Sequence, residues 1–302
     1  MSLKDMLPDY LAEFPKMGRA DLRDFKKGID ETFLVFARKY GDAIENFFYP
    51  LKVFMVWFDK LLVATPWPLM ILIICLLAWF GSRSIVMVIG TALAFLLIGY
   101  LGMWNDTMHT LALVSVSTLV CIVIGIPIGI LMSKSDRIQA VIVPILDIMQ
   151  TIPAFVYLIP VMMLLGIGKV PGIIAVCIYA IPPVVRLTNL GIRLVDKDVL
   201  EAADAFGASP RQKMLKVQLP LALPNLFAGV NQTIMMALAM VVVASLIGVP
   251  GLGSQVLKAV SNRYLTLGMM NGLAIVAIAI VFDRVSQKFG KRLQKHSEKV
   301  HG

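Results

Sequence analysis

Three groups of residues have types and spacings that could handle a polar solute inside an apolar chain. Asp147, Gln150 and Thr151 recur three and four residues apart, so on a helix they share one face. An ionisable group at membrane depth is costly unless paired, hydrated or functional, which makes this stripe a candidate translocation path or gate. It has a plainer reading too. Only about six residues precede Asp147 in its apolar stretch, roughly 9 Å at the helical rise, so it is also placed for hydration or for pairing with Arg137 or a neighbouring loop. Asn231 and Gln232 are a second polar pair, suited either to line a path or to join helices by hydrogen bonds. Gly248, Pro250, Gly251 and Gly253 form a candidate outer gate loop that interrupts a long apolar run.

Covalent chemistry finds no footing. His109, His296 and His301 have no metal-ligand spacing, and no nucleophile motif accompanies the serines. Asp147 has no second carboxylate beside it. A phosphate-binding Gly-x-x-x-x-Gly-Lys-Ser/Thr loop is absent, because Gly168-Lys169 is followed by Val170. The chain reads as a non-enzyme without a cofactor or metal of its own.

A further stretch, Glu201-Ala202-Ala203-Asp204-Ala205-Phe206-Gly207-Ala208-Ser209-Pro210, is followed by Val217-Gln218-Leu219-Pro220. Its first part favours helix, Gly207 permits a sharp change of direction, and Ser209-Pro210 suits an N-cap and first helical position. The pattern predicts two short helices meeting at a glycine. Ala202, Ala203 and Ala205 would let another backbone approach, and Glu201 can cap or pair with a cation. On spacing alone the stretch serves equally as a docking knob or as a connector packed under the bundle.

The elements that must carry these residues follow from composition. Of 302 residues 58% are hydrophobic and 16% charged, and the mean hydropathy is +0.82, outside the range of ordinary soluble domains. Residues 1–60 hold ten Lys/Arg and ten Asp/Glu, after which long uncharged runs begin. The expected organisation is an N-terminal amphipathic anchor segment over 1–60, a transmembrane domain over 61–286 containing the loop at 191–220, and a basic tail over 287–302. The net charge of +9 is placed in short loops and the tail, where membrane orientation explains it better than nucleic acid does. Cys75, Cys121 and Cys177 sit in apolar runs and show no disulfide framework. No basic, apolar and small-residue succession marks a signal peptide in the first sixty residues.

Charge-free stretches of about 20 residues predict seven helices, near 62–81, 84–103, 110–132, 141–165, 170–190, 223–247 and 265–284. Pro153 should bend the fourth, and Pro220 and Pro224 should delay the sixth. The Gly125 and Gly129 pair suits close helix packing. Arg83, Lys134, Arg137, the six basic residues from Arg186 to Lys216 and the six from Arg284 onward fall on one face. The positive-inside rule makes that face cytoplasmic, with the C-terminus inside and the N-terminus outside. Upstream, Leu22, Phe25, Ile29, Phe33, Phe36, Tyr40, Ile44, Phe47, Leu51, Phe54 and Phe58 recur every three or four residues, predicting a surface helix that Pro50 bends before the first crossing.

The stretch at Glu201 resembles the EAA signature of ABC importer permeases: Glu-Ala-Ala, Gly207 after three residues, then an Ile-x-Leu-Pro element in which Val217 replaces Ile, with Leu219 and Pro220 in place. Residues 146–157 and 231–238 look like those of the glycine betaine/proline betaine/choline branch. The resemblance implies an all-α polytopic membrane protein of type I ABC importer permease fold. It also implies a second permease copy, cytoplasmic ATPase subunits that carry ATP and magnesium and grip the short helix at Glu201, an extracytoplasmic substrate-binding protein, and a bacterial inner membrane. Permeases for another small solute such as methionine are the nearest rivals. An ion-coupled secondary transporter should show internal repeats and deeply buried ionisable groups, which the sequence does not display convincingly.

Overall fold

A computed structural model of the chain describes residues 16–301, with side chains through residue 290. The first fifteen residues of the expected anchor segment, and most side chains of the tail with His296 and His301, lie outside the described residues. Among the described residues all regular structure is helical. In chain order the elements are α1 (Arg19–Ala64), α2 (Trp67–Ser82), α3 (Ile85–Tyr100), α4 (Trp104–Lys134), α5 (Asp136–Thr151), α6 (Ala154–Leu165), α7 (Lys169–Arg193), α8 (Lys197–Ala205), α9 (Pro210–Ala239), α10 (Val241–Ser245), α11 (Leu252–Asn262) and α12 (Leu265–His301). The chain divides into two units, Met1–Phe47 and Phe48–Gly302.

In the first unit the apolar stripe is present on α1. Phe25, Ile29, Phe36, Tyr40 and Phe47 are all exposed, and the rings of Phe36 and Tyr40 lie 5.0 Å apart. The bend expected at Pro50 is not where the chain turns, because α1 runs through Pro50 as one helix of 46 residues. The turn comes at Pro66, where α1 and α2 meet at 110°. An interior proline removes one backbone hydrogen bond, which an exposed helix can tolerate. Pro66, with ψ 136°, leaves the helical region and caps the restarted helix, and Pro68 sits in its first turn, where no N–H is needed.

Each predicted apolar stretch is helical in the second unit, though the lengths differ. Among the described residues four helices are individually long and apolar enough to cross a membrane: Trp104–Lys134, Lys169–Arg193, Pro210–Ala239 and Leu265–Gly290. The bent pairs α1–α2 and α5–α6 add up to two more, and α3, at 16 residues, is a shorter apolar helix. The fourth predicted span is broken, not merely bent, with α5 and α6 at 97° across Ile152 and Pro153. The sixth begins earlier than Pro220 and Pro224 led the sequence reading to expect, and runs continuously from Pro210. A wide π-helical turn over Lys213–Gln218 explains this, since Leu219 N–H reaches back to Met214 O and the shifted register absorbs the donor that Pro220 lacks. Helix α11, between Gly251 and Arg263, was not anticipated.

The centre of the second unit is α7, packed between α4 and α9. A Cβ placed on Gly129 would lie 2.7 Å from the carbonyl oxygen of Val185 and 2.6 Å from Thr188 Cβ. At Gly125 it would lie 2.4 Å from Val184 Cγ1. Small residues one helical turn apart therefore bring the α4 and α7 backbones together, which in a bilayer replaces the hydrophobic drive that lipid cannot supply. A smaller apolar cluster of Ile192, Met214, Ala222 and Leu226 roots α9 against the end of α7.

Candidate functional site

The stretch from Lys197 to Pro220 folds as an elbow. Asp196 caps α8, its side chain accepting from Asp198 N–H at 2.9 Å. The helix ends at Phe206, after which Gly207 takes φ +74°. Gly207 N–H donates to Asp204 O at 2.9 Å and Ala208 N–H donates to Ala203 O at 3.0 Å, the paired closure that a left-handed residue allows. Ser209 and Gln212 then form a reciprocal capping box that starts α9 at Pro210. Across the angle, Lys213 Nζ donates to both carboxylate oxygens of Asp204 at 2.6 and 2.7 Å and ties the two arms together.

The elbow presents a surface suited to a partner. Glu201 and Ala202 are exposed and Ala203 half-buried. Nothing lies within 4 Å of a Cβ built on Gly207. Phe206, which local spacing does not single out, is 92% exposed at the turn, and Leu215 on the π turn is 63% exposed. An unpartnered aromatic ring next to a backbone turn is the kind of group that anchors an interface. Val217 and Leu219 are half-buried and Pro220 exposed, at the root of α9.

Below the elbow, Arg193 fixes the end of α7. Its guanidinium donates to Asn189 Oδ1, to Asp136 Oδ1 and to the carbonyl of Met132, at 3.0, 2.6 and 2.9 Å, so α4, α5 and α7 are held together at one point. One Arg near a helix end gave no sequence signal for this.

The candidate path residues separate into fasteners and free groups. Asp147 pairs with Arg186 of α7 at 2.5 Å, not with Arg137. Arg137 and Asp147 sit ten residues apart on α5, roughly 15 Å at the helical rise, and cannot meet, whereas α7 packs beside α5 and brings Arg186 within reach. Gln150 Nε2 points at Met236 Sδ, 3.6 Å away on α9, while Thr151 is exposed. Asn231 bridges α9 to α12, donating to Asp283 Oδ1 at 2.9 Å and accepting from Ser286 Oγ at 2.8 Å. Asn231 and the exposed Gln232 also border a cavity of about 520 Å³ with Leu187, Pro224, Phe227 and Ser286.

The candidate outer gate loop after α10 is closely packed. Gly248 and Gly251 have φ of +79° and +137°, but Gly251 and Gly253 are buried and Pro250 half-buried. Leu252 N–H donates to Thr110 Oγ1 at 2.9 Å. A Cβ on Gly253 would lie 2.4 Å from the carbonyl oxygen of Val241. These glycines let backbones approach.

One cluster was missed altogether. Asp59 is 4% exposed, its Oδ1 lies 2.7 Å from His109 Nδ1 and its Oδ2 lies 2.5 Å from Lys169 Nζ. Asp59 falls in the expected anchor segment and Lys169 in Gly168-Lys169-Val170, and neither local pattern marks a buried ionisable group. No group of His, Cys, Asp and Glu among the described residues has the arrangement of a metal site.

The family described as binding-protein-dependent transport system inner membrane component matches residues 122–295, which contain the elbow and most of the bundle. The chain belongs to that family. The permease is 48% identical over 242 residues to the glycine betaine/proline betaine transport system permease protein ProW of Escherichia coli (strain K12), covering 80% of this chain and 68% of that protein. It is also 48% identical to the glycine betaine transport system permease protein OpuAB of Bacillus subtilis (strain 168), covering 69% of this chain and 73% of the relative. Among solved structures, an inward-facing MetNI methionine ABC transporter aligns with a TM-score of 0.56 at 22% identity, over 61% of this chain and 93% of that one. That likeness concerns the fold. The permease thus has the helical architecture of ABC importer membrane subunits, and the half of the chain that carries the elbow is the half the family defines.

Proposed function

We propose that this chain is the membrane-spanning subunit of an ABC importer for glycine betaine, proline betaine or choline, and that a separate cytoplasmic ATPase subunit carrying ATP and magnesium drives it through the elbow at Glu201–Pro220. The observation that carries the reading is the elbow: a rigid, doubly capped turn with Phe206 bare at its tip and its root seated on the α7–α9 contact. The names of the relatives at 48% identity support the substrate class.

In this reading Glu201, Ala202, Ala203 and Gly207 face the ATPase, and Val217, Leu219 and Pro220 pass its motion into α9. The elbow and C-terminus are cytoplasmic and the N-terminus lies outside, in keeping with the basic residues clustered from Arg186 to Lys216. Segments 1–60, 61–286 and 287–302 serve as anchor, permease domain and cytoplasmic tail in a bacterial inner membrane. A second copy completes the translocation path, with Thr151 and Gln232 as its exposed polar residues, while Asp147, Gln150 and Asn231 hold the surrounding helices. Gly248 to Gly253 stiffen the outer face, where an extracytoplasmic binding protein delivers solute.

The test is reconstitution of the chain with its ATPase and binding protein in proteoliposomes, measuring uptake of labelled glycine betaine. ATP-dependent uptake that excess choline or proline betaine suppresses, and excess methionine does not, is the expected result. Uptake that continues without any ATPase subunit would refute the coupling, and suppression by methionine would move the chain to another substrate class.

A further inference from the structure

Asp59 is the one charged side chain among the described residues that is buried. Both of its oxygens are in use, Oδ1 toward His109 Nδ1 at 2.7 Å and Oδ2 toward Lys169 Nζ at 2.5 Å. The three residues come from the end of α1, the second turn of α4 and the first position of α7. The Lys169 ammonium faces one oxygen of the Asp59 carboxylate and the His109 ring occupies the other. Removing one partner would leave a buried charge uncompensated, which is why such clusters hold their elements firmly.

The place of Lys169 gives the cluster leverage. Helix α7 has 25 residues, roughly 37 Å at the helical rise; Lys169 is its first residue, and Arg193, its last, leads through three residues into the elbow. The first turn is also held from another side. Gly168 N–H donates to Ile247 O at 3.0 Å, and a Cβ on Gly172 would lie 2.3 Å from Val249 Cγ2. One end of a continuous helix, which runs unbroken through Pro182 and Pro183, is therefore seated in an ionic clasp, and the other end carries the elbow.

We propose that the Asp59–His109–Lys169 cluster is the pin about which α7 swings: it holds the end of α7 remote from the elbow, so that displacement of the elbow tilts the helix instead of sliding it along its axis. Asp59 is thus a positioning residue for transport that touches neither solute nor ATPase. A lysine at the pin suits the role, since its flexible four-carbon stem lets the helix turn while the ammonium stays on the carboxylate. The proposal rests on the reading of the elbow as the point where the ATPase acts.

The experiment uses the complete transporter in proteoliposomes, with glycine betaine uptake and ATP hydrolysis measured on the same vesicles. The Asp59→Asn/Lys169→Met pair removes the pin without leaving an unpaired charge. Hydrolysis should persist while uptake per ATP falls roughly tenfold, within the range by which residues between two sites alter their coupling. The charge exchange Asp59→Lys/Lys169→Asp should recover the ratio. A double variant with the wild-type ratio, or one in which uptake and hydrolysis fall in proportion, overturns the pin and leaves the cluster a purely structural one. If the neutral pair does not assemble, the exchange decides: assembly with a normal ratio supports the pin, assembly with a depressed ratio overturns it, and failure of both assigns the cluster to folding. Gly207→Val separates the two readings, because full uptake in that variant defeats the elbow itself, whereas loss of uptake there with a normal ratio in the neutral pair defeats only the pin.

Discussion

At the elbow, one backbone angle carries more consequence than any side-chain contact around it. Gly207 holds φ +74° with open space where a Cβ would sit, so a substitution is opposed by local backbone strain and not by a clash. A β-branched residue in that conformation is strained by about 1–2 kcal/mol, whereas Asn visits it readily. Gly207→Val should therefore lose ATPase co-purification and uptake while inserting normally, and Gly207→Asn should keep both; equal behaviour of the two would show that the space at the turn matters rather than its angle. The Lys213–Asp204 pair nearby is a useful contrast. Asp204 is half exposed, and surface pairs contribute only about 0–1 kcal/mol. Lys213→Ala is expected to leave assembly and uptake close to wild type in the same assays.

Among the helices, close packing is concentrated where α4 meets α7. Gly129 faces a backbone carbonyl and a Thr Cβ at under 3 Å from any added Cβ, neither of which can move aside cheaply. Gly129→Leu should lower the thermal unfolding temperature of the purified chain, in line with the roughly 1–3 kcal/mol typical of overpacking. Gly90 on α3 has nothing within 4 Å of its added Cβ, and Gly90→Ala is expected to hold or slightly raise that temperature, since Ala is favoured over Gly in a helix by about 1 kcal/mol. A drop for Gly90→Ala equal to that of Gly129→Leu would mean that helix contacts on the two faces are alike. The π turn over Lys213–Gln218 belongs to this scale as well. It accommodates Pro220 within one unbroken helix, and so joins the elbow directly to the rest of α9.

For the whole molecule the decisive question is the side of the membrane on which the elbow lies. A single cysteine at Phe206, in a background without Cys75, Cys121 and Cys177, should react with a membrane-impermeant thiol reagent in inside-out vesicles and stay silent in intact cells. Labelling from the outside would separate the elbow from any cytoplasmic ATPase. The same assembly gives α7 its importance, since the α4 contact, the Arg193 junction and the Asp59 cluster all bear on that one helix.

What the sequence determined by itself was whatever depends on local composition and spacing. Apolar run lengths located the long helical stretches of the bundle but not α11, the glycine and capping residues from Glu201 to Pro220 outlined the elbow, and Gly125 with Gly129 marked a packing face. The tertiary structure decided everything that depends on residues far apart in the chain. Asp59 lies 50 residues from His109 and 110 from Lys169, and no local pattern records that their charges will be buried together. The same holds for Asp147 with Arg186 and for Asn231 with Asp283. Proline shows the boundary between the two sources. Its effect on its own hydrogen bond is fixed by its ring, but whether a helix breaks, as at Pro66 and Pro153, or continues, as at Pro50 and Pro220, is set by the neighbouring backbone and by what packs against the turn.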